Sequence, residues 1–250
     1  MSGDRSAGWP RAQRAWRHAT RLAAWALPAV LLPLLVATAR PPPAAAAEPG
    51  SLTVKGSYLL QRVAFNYGYG AFLKERFGAQ AVDLSGVALS ATRWSDARIG
   101  YGLELDALRG GFDYRTLNGD ARRAEFALRQ VLARVAIAPP GPWEYGLGVG
   151  LGSLTRSLEG FHSADINASN LGSNTGVARA RTLGLAFLGE VLYRFHGPHF
   201  GVEAGLRYSV APHYIPASDE RPALDDAQRP VASVFNVGGL AYVLTLAVLF

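Results

Sequence analysis

The last fourteen residues, 237–250, read VGGLAYVLTLAVLF. Taken every second position back from the terminus, Phe250, Val248, Leu246, Leu244, Tyr242 and Leu240 form a uniformly large, apolar face. The opposite face, Ala247, Thr245, Val243, Ala241 and Gly239, is smaller once Leu249 is set aside. A period of two with one large apolar face predicts a strand lying against lipid. The run is too short for a membrane-spanning helix, which needs about 20 residues. At the end of a water-soluble chain, such a strand finishing on Phe would invite aggregation.

In this alternation and its final aromatic, the terminus resembles the C-terminal recognition signal of bacterial outer-membrane β-barrels. The resemblance implies that Tyr242, Leu244, Leu246, Val248 and Phe250 act as an assembly signal, read by the barrel assembly machinery.

The N-terminus points the same way. Residues 1–21 are Arg-rich, 22–39 are almost wholly apolar, and the Ala44–Ala47 run ends in an A-x-A pattern. This is the layout of a secretory signal peptide cut after Ala47, with an uncleaved anchor helix as the alternative. The domain plan is therefore a leader over 1–47 and a β-barrel domain over 48–250. Six of the 25 basic residues and one of the 19 acidic ones lie in the leader, so the remainder is close to +1. The basic excess belongs to the leader and makes no case for nucleic-acid binding. The absence of Cys rules out disulfides and thiolate metal sites.

Beyond Ser51 alternation of period two recurs and sustained helical periodicity does not. Eight strands are predicted. The first covers about 52–67 and the second about 81–93, with a parity switch from Val82/Leu84 to Val87/Leu89 that implies a bulge near Gly86. The third sets Ile99, Tyr101, Leu103 and Leu105 opposite Gly100, Gly102, Glu104 and Asp106. The fourth, about 122–137, slips from Phe126/Leu128 to Val131/Ala133, with a helix as its alternative. The fifth runs from Trp143 to Gly152, the sixth from Leu183 to Phe195, and the seventh from Phe200 to Val210. The eighth extends from about Ala232 to Phe250.

Connections alternate longer and short: 68–80, Ser95-Asp96, 109–121, Pro139–Gly141, 159–180, His196–His199 and 213–231. That rhythm belongs to an up-and-down barrel with brief turns at one rim and long loops at the other. The polarity is inverted relative to a soluble barrel, which is apolar inside. Here the charged, Gly-rich faces must form the lumen. The fold class expected is all-β: an eight-stranded antiparallel up-and-down transmembrane β-barrel behind a cleaved leader. Trp94, Trp143, Tyr193, Phe195, Phe200 and Phe250 are expected to girdle the turn rim. Tyr67, Tyr69, Phe112, Tyr114, Phe161, Tyr208 and Tyr214 are expected to girdle the other.

Chemistry is sparse. Glu104, Asp106, Arg134, Glu144, Glu190, Arg194, Glu203 and Arg207 form a mixed-charge inward set, and a barrel of eight strands is filled by its own side chains. A charge-paired lumen plug is expected. The glycines at 146, 148, 150 and 152 sit in an unbroken strand, so they read as space for lumen side chains such as Arg134 or Arg194 rather than as a nucleotide loop. His162, Ser163 and Asp165 share a polar loop, which seldom holds hydrolase geometry. His196 and His199 flank a turn without a carboxylate to complete a metal site. Ala204–Ser209 is similar to the strand carrying the catalytic His-x-Ser of outer-membrane lipid A deacylases. The aligned positions are Tyr208 and Val210, so neither catalytic residue is present. No catalytic residue, cofactor or metal is assigned.

The mature chain thus resembles small outer-membrane barrels of the OmpA-transmembrane, OmpX and OmpW type, and the resemblance implies a place in the Gram-negative outer membrane. A monomer is expected, with loops 159–180 and 213–231 in contact with lipopolysaccharide, surfaces or partners, and with Arg179, Arg181, Arg221 and Arg229 available to anionic lipid headgroups. The function read is structural or interactive. The alternatives are a lipid A-modifying enzyme and a narrow channel for small solutes, the latter requiring a continuous apolar lumen.

Overall fold

The computed structural model describes residues 49–66, 68–115, 121–159, 177–197, 199–215, 223–224, 230–231 and 233–250. The leader at 1–47 lies outside the described residues, as do Tyr67, Phe161, His162, Ser163, Asp165, Arg221 and Arg229, and the side chains of Arg179 and His196.

In chain order the elements are β1 (Leu52–Ala64), α1 (Tyr69–Phe77), β2 (Ala81–Trp94), β3 (Ile99–Arg115), β4 (Ala121–Ile137), β5 (Trp143–Glu159), β6 (Val177–His196) and β7 (Phe200–Val210). There follow β8 (Pro212–Ile215), β9 (Ala223–Leu224), β10 (Pro230–Val231), β11 (Ser233–Asn236) and β12 (Leu240–Leu249). Consecutive strands β1 to β7 pair antiparallel, β12 pairs with β7, and β1 pairs with β12. Eight strands therefore close into a ring with no unpaired edge, which satisfies every ladder internally, as a bilayer demands. Beyond β7, the β8–β11 hairpin carries the sheet upward. Among the described residues no helix is long and apolar enough to cross a membrane.

Side chains alternate as the polarity argument requires. Leu105 (52% exposed), Leu151 (64%) and Leu246 (66%) face outward, whereas their neighbours Glu104 and Thr245 are buried. Asp96 makes one tight turn, its Oδ1 accepting from the N–H groups of Arg98 (2.7 Å) and Ile99 (2.8 Å).

The structure corrects four sequence expectations. First, β2 has no bulge at Gly86 and β4 has no slip. The registers run unbroken from Leu52↔Arg93 to Ala64↔Ala81, and from Ile99↔Ile137 to Arg115↔Ala121. Val82, Leu84, Phe126 and Leu128 point inward throughout, into an apolar core at the loop end. What reads as a parity switch is a change of lumen polarity along the barrel axis.

Second, the first long connection holds α1. Tyr69, Leu73 and Phe77, spaced by four, turn toward the core, and Leu73 is fully buried. Gly78 ends the helix in the left-handed region (φ 69°), its N–H donating to the Lys74 carbonyl at 2.9 Å. Nine residues are too few to announce a helix by periodicity or to form one in isolation. Packing against the barrel mouth stabilises it.

Third, several aromatics expected in the girdles lie inside. Phe65 sits amid Phe112 (ring centroids 5.6 Å), Phe235 (5.9 Å) and Phe126 (6.5 Å), and Phe77 meets Tyr114 at 4.5 Å. Tyr69 joins them against Phe235 at 5.5 Å. Trp94 is 2% exposed at the turn end, its Nε1 donating to Thr53 Oγ1 at 2.9 Å. A Cβ on Gly100 would lie 2.5 Å from Thr92 Cγ2 and 3.1 Å from that indole, so the glycine admits both. Trp143, Phe200 and Phe250 do face outward at the turn end, as Tyr208 and Tyr214 do at the loop end.

Fourth, the eighth strand does not run back unbroken to Ala232. Val237–Gly239 interrupts it, and the Asn236 side chain fills the break by accepting from the N–H groups of Ala211 (2.8 Å) and Gly238 (3.1 Å).

Candidate functional site

Inward positions on six strands converge between Trp94 and the aromatic core. Glu104 and Asp106 come from β3, Arg134 from β4, Glu144 from β5, Glu190 and Arg194 from β6, Glu203 and Arg207 from β7, and Lys55 from β1. Each is at most 5% exposed. Period-two alternation alone places them here, because each lies between two lipid-facing residues of its strand.

Their contacts form one connected network. Arg207 reaches Glu104 (2.7 Å), Glu190 (2.8 Å) and Asp106 (3.2 Å). Arg134 contacts Glu190, lies 3.1 Å from Glu144 and 3.5 Å from Glu104, and donates to Ser90 Oγ at 3.2 Å. Lys55 bridges Glu144 (2.6 Å) and Glu203 (2.8 Å). Arg194 stands at the edge, 3.8 Å from Glu144, and donates to the Gly141 carbonyl at 3.2 Å. Four cations thus meet five carboxylates. Shared partners matter for buried charges, because an isolated buried ion costs several kcal/mol and multiple close counter-ions offset it.

All eight residues picked from the alternation lie in this layer. Sequence reasoning missed Lys55, having assigned the lumen charge mainly to strands three to seven. The missed signal was parity: Lys55 lies on the same face of β1 as Thr53 and Leu59, opposite Tyr58. It also missed Arg156, fully buried at the loop end, whose guanidinium stacks 4.9 Å over the Tyr69 ring and links β5 to α1. His213, likewise fully buried, packs beside Gly184 and Gly152 on the inward face beyond β7.

The β5 glycines make room, but for different groups than expected. A Cβ on Gly146 would lie 2.6 Å from Glu190 Cγ and Oε1, and one on Gly148 would lie 2.8 Å from Leu188 Cγ. Neither Arg134 nor Arg194 is the neighbour. Gly146→Leu is therefore expected to displace Glu190 and destabilise the barrel by about 1–3 kcal/mol through overpacking. Gly189→Ala, whose Cβ meets only Leu147 at 3.9 Å, should leave it unchanged. Urea unfolding of refolded protein measures both, and equal stability of the two variants would refute the steric assignment.

Along its axis the lumen is filled in three layers: Trp94 with Ala136 and Ala138, then the ion pairs, then the aromatic core under α1. Tyr208 and Val210, aligned with the deacylase pair, both point outward, away from this interior.

No protein-family model matches the chain, and no curated protein matches it. Solved structures match in fold. The crystal structure of Ail, the attachment invasion locus protein of Yersinia pestis, aligns with a TM-score of 0.50 and 15% identity over 81% of this chain and 99% of that chain. The structure of the outer membrane protein OprG from Pseudomonas aeruginosa aligns at 0.43, with 13% identity over 82% of this chain and 97% of that one. Neisserial surface protein A aligns at 0.41, with 14% identity over 80% and 96%. The likeness to Ail is one of fold: the chain forms a small barrel of the outer-membrane type.

Proposed function

We propose that this chain is an outer-membrane protein that crosses the bilayer as a closed barrel with a plugged lumen and works through its outer surface and loops. In this reading residues 1–47 are a cleaved signal peptide, the barrel assembly machinery inserts the strands, and the turn rim faces the periplasm. The observation that carries it is the pairing of an apolar exterior with an interior filled at three levels. A barrel so filled has structural and binding roles open to it, and diffusion of large solutes is closed to it. The charged layer also interrupts the continuous apolar path that a hydrocarbon channel needs.

Planar-bilayer recordings of the refolded protein test this. The expected result is no large, stable conductance step, alongside a heat-modifiable mobility on electrophoresis of the outer-membrane fraction. Persistent large openings would refute the plugged reading, and absence of the mobility shift would refute the closed membrane barrel.

A further inference from the structure

The outward face holds a second charged feature, distinct from the lumen. On β4 the lipid-facing positions Ile137, Val135, Ala133 and Val131 are all apolar, and the next outward position is Arg129. On β3 the sequence is Ile99, Tyr101, Leu103, Leu105 and Ala107, and then Arg109. Arg109 is paired in register with Ala127, so Arg109 and Arg129 are diagonal neighbours, roughly 7–8 Å apart. Ser153 of β5 lies directly across from Arg129. Its hydroxyl accepts from Arg181 Nε of β6 at 2.7 Å, which brings a third guanidinium toward the first two.

Between these cations the surface is low. Ala107, Ala127, Ser153 and Thr155 present small side chains between the arginines, and Arg109, Ala127 and Thr155 also line a shallow groove that runs on toward Arg123, Glu125 and Ser157. The row immediately below is wholly aliphatic: Leu89, Leu105, Val131, Leu151 and Leu185, in register across five strands. From Ile137, Arg129 lies eight residues along a tilted strand, roughly 20 Å up, near the top of an apolar band about 25 Å tall.

Ion pairing distinguishes Arg109 and Arg129 from Arg123 and Arg62. Two outward arginines beside the patch are paired: Arg123 with Asp113 (2.9 Å) and Glu125 (3.3 Å), and Arg62 with Asp83 (3.8 Å). Among the described residues, no carboxylate lies within ion-pair distance of Arg109 or Arg129, and Glu125, diagonal to Arg109, is held by Arg123. Unpaired guanidinium groups at the boundary between hydrocarbon and headgroups attract anionic lipid, and their planar fork suits phosphate.

We propose that Arg109, Arg129 and Arg181 seat the phosphate of a phosphorylated membrane lipid, its acyl chains lying along Leu105, Val131 and Leu151. The site rests on the membrane-barrel reading given above and names a partner for its outer surface. Small residues admit the headgroup close to the sheet, Ser153 and Thr155 offer hydroxyl donors, and the aliphatic row receives the chains. A soluble anion would use only the upper half of this arrangement.

The test uses the full barrel refolded into phosphatidylcholine nanodiscs doped with bisphosphorylated lipid A or with the same lipid stripped of phosphate. Lipid retained on extraction is counted by native mass spectrometry. The wild type is expected to retain the phosphorylated form roughly tenfold over the stripped one, and Arg109→Gln/Arg129→Gln to abolish that preference. Arg62→Gln, whose guanidinium is already paired, should keep it. Equal retention of both lipids by the wild type, or a preference unchanged in the double variant, overturns the site. Displacement by free inorganic phosphate also overturns it, in favour of a plain anion site. Heat-modifiable mobility of each variant separates the two levels: loss of preference with the shift intact refutes this site alone, while loss of the shift in the wild type refutes the barrel reading beneath it.

Discussion

Replacing Arg207 with methionine is expected to lower the unfolding free energy of the refolded barrel by about 3–5 kcal/mol, the cost of stranding buried partners of opposite charge. Arg207 is 3% exposed and faces three carboxylates, Glu104, Asp106 and Glu190. Methionine fills much of the volume but supplies no donor, so those groups would remain desolvated without their main counter-ion. Arg207→Lys should lose less, since it retains the charge but not the fork that donates from Nε and Nη2 to Glu190. Adding Glu190→Gln to Arg207→Met should recover part of the loss, because one stranded charge is removed. Urea titration of protein folded into phospholipid vesicles gives all three values, and Glu190→Gln alone completes the cycle that yields the coupling between the two sites. A loss under about 1 kcal/mol for Arg207→Met would mean that water reaches this layer, and the plug would then fail as an explanation of the lumen.

Deleting Phe250 is expected to remove most of the protein from the outer-membrane fraction while barely altering barrels that do form. Its side chain is 72% exposed and faces outward, so no core contact depends on it. Its backbone closes the seam at the turn rim, donating to the Leu52 carbonyl at 2.9 Å and accepting from the Leu52 N–H at 3.1 Å. Two such bonds contribute about 1–3 kcal/mol together. The seam keeps ten register pairs between β1 and β12 and nine between β12 and β7. The folded barrel should therefore survive the deletion in vitro, with urea midpoint and heat-modifiable mobility close to wild type. Quantitative blotting of outer-membrane fractions checks the other half. Normal levels of the truncated chain would show that Tyr242, Leu244, Leu246 and Val248 suffice without the terminal aromatic.

Much of the barrel was legible because its rule is local. Every second residue on Ile99–Leu105, Trp143–Leu151 and Leu240–Phe250 meets lipid, and lipid tolerates only apolar side chains there. The mixed charges between them can then face only inward, so Glu104, Arg134, Glu144, Glu190 and Arg207 are legible in the sequence. Where the lumen itself turns apolar, that contrast vanishes. Val82, Leu84, Phe126 and Leu128 look like lipid-facing residues on the wrong parity, although their backbones never leave register.

Strand number, polarity inversion and the membership of most of the ion-pair layer thus followed from the chain alone, since alternation and loop length are properties of neighbouring residues. Tertiary structure decided which ions meet, that Lys55 joins Glu144 and Glu203 across the ring, and that Tyr69–Phe77 folds as a helix over an aromatic core. It also decided which outward arginines are left without an acid. The reason is the same in each case: these outcomes depend on closure, which brings residues far apart in sequence within reach and which no local pattern encodes.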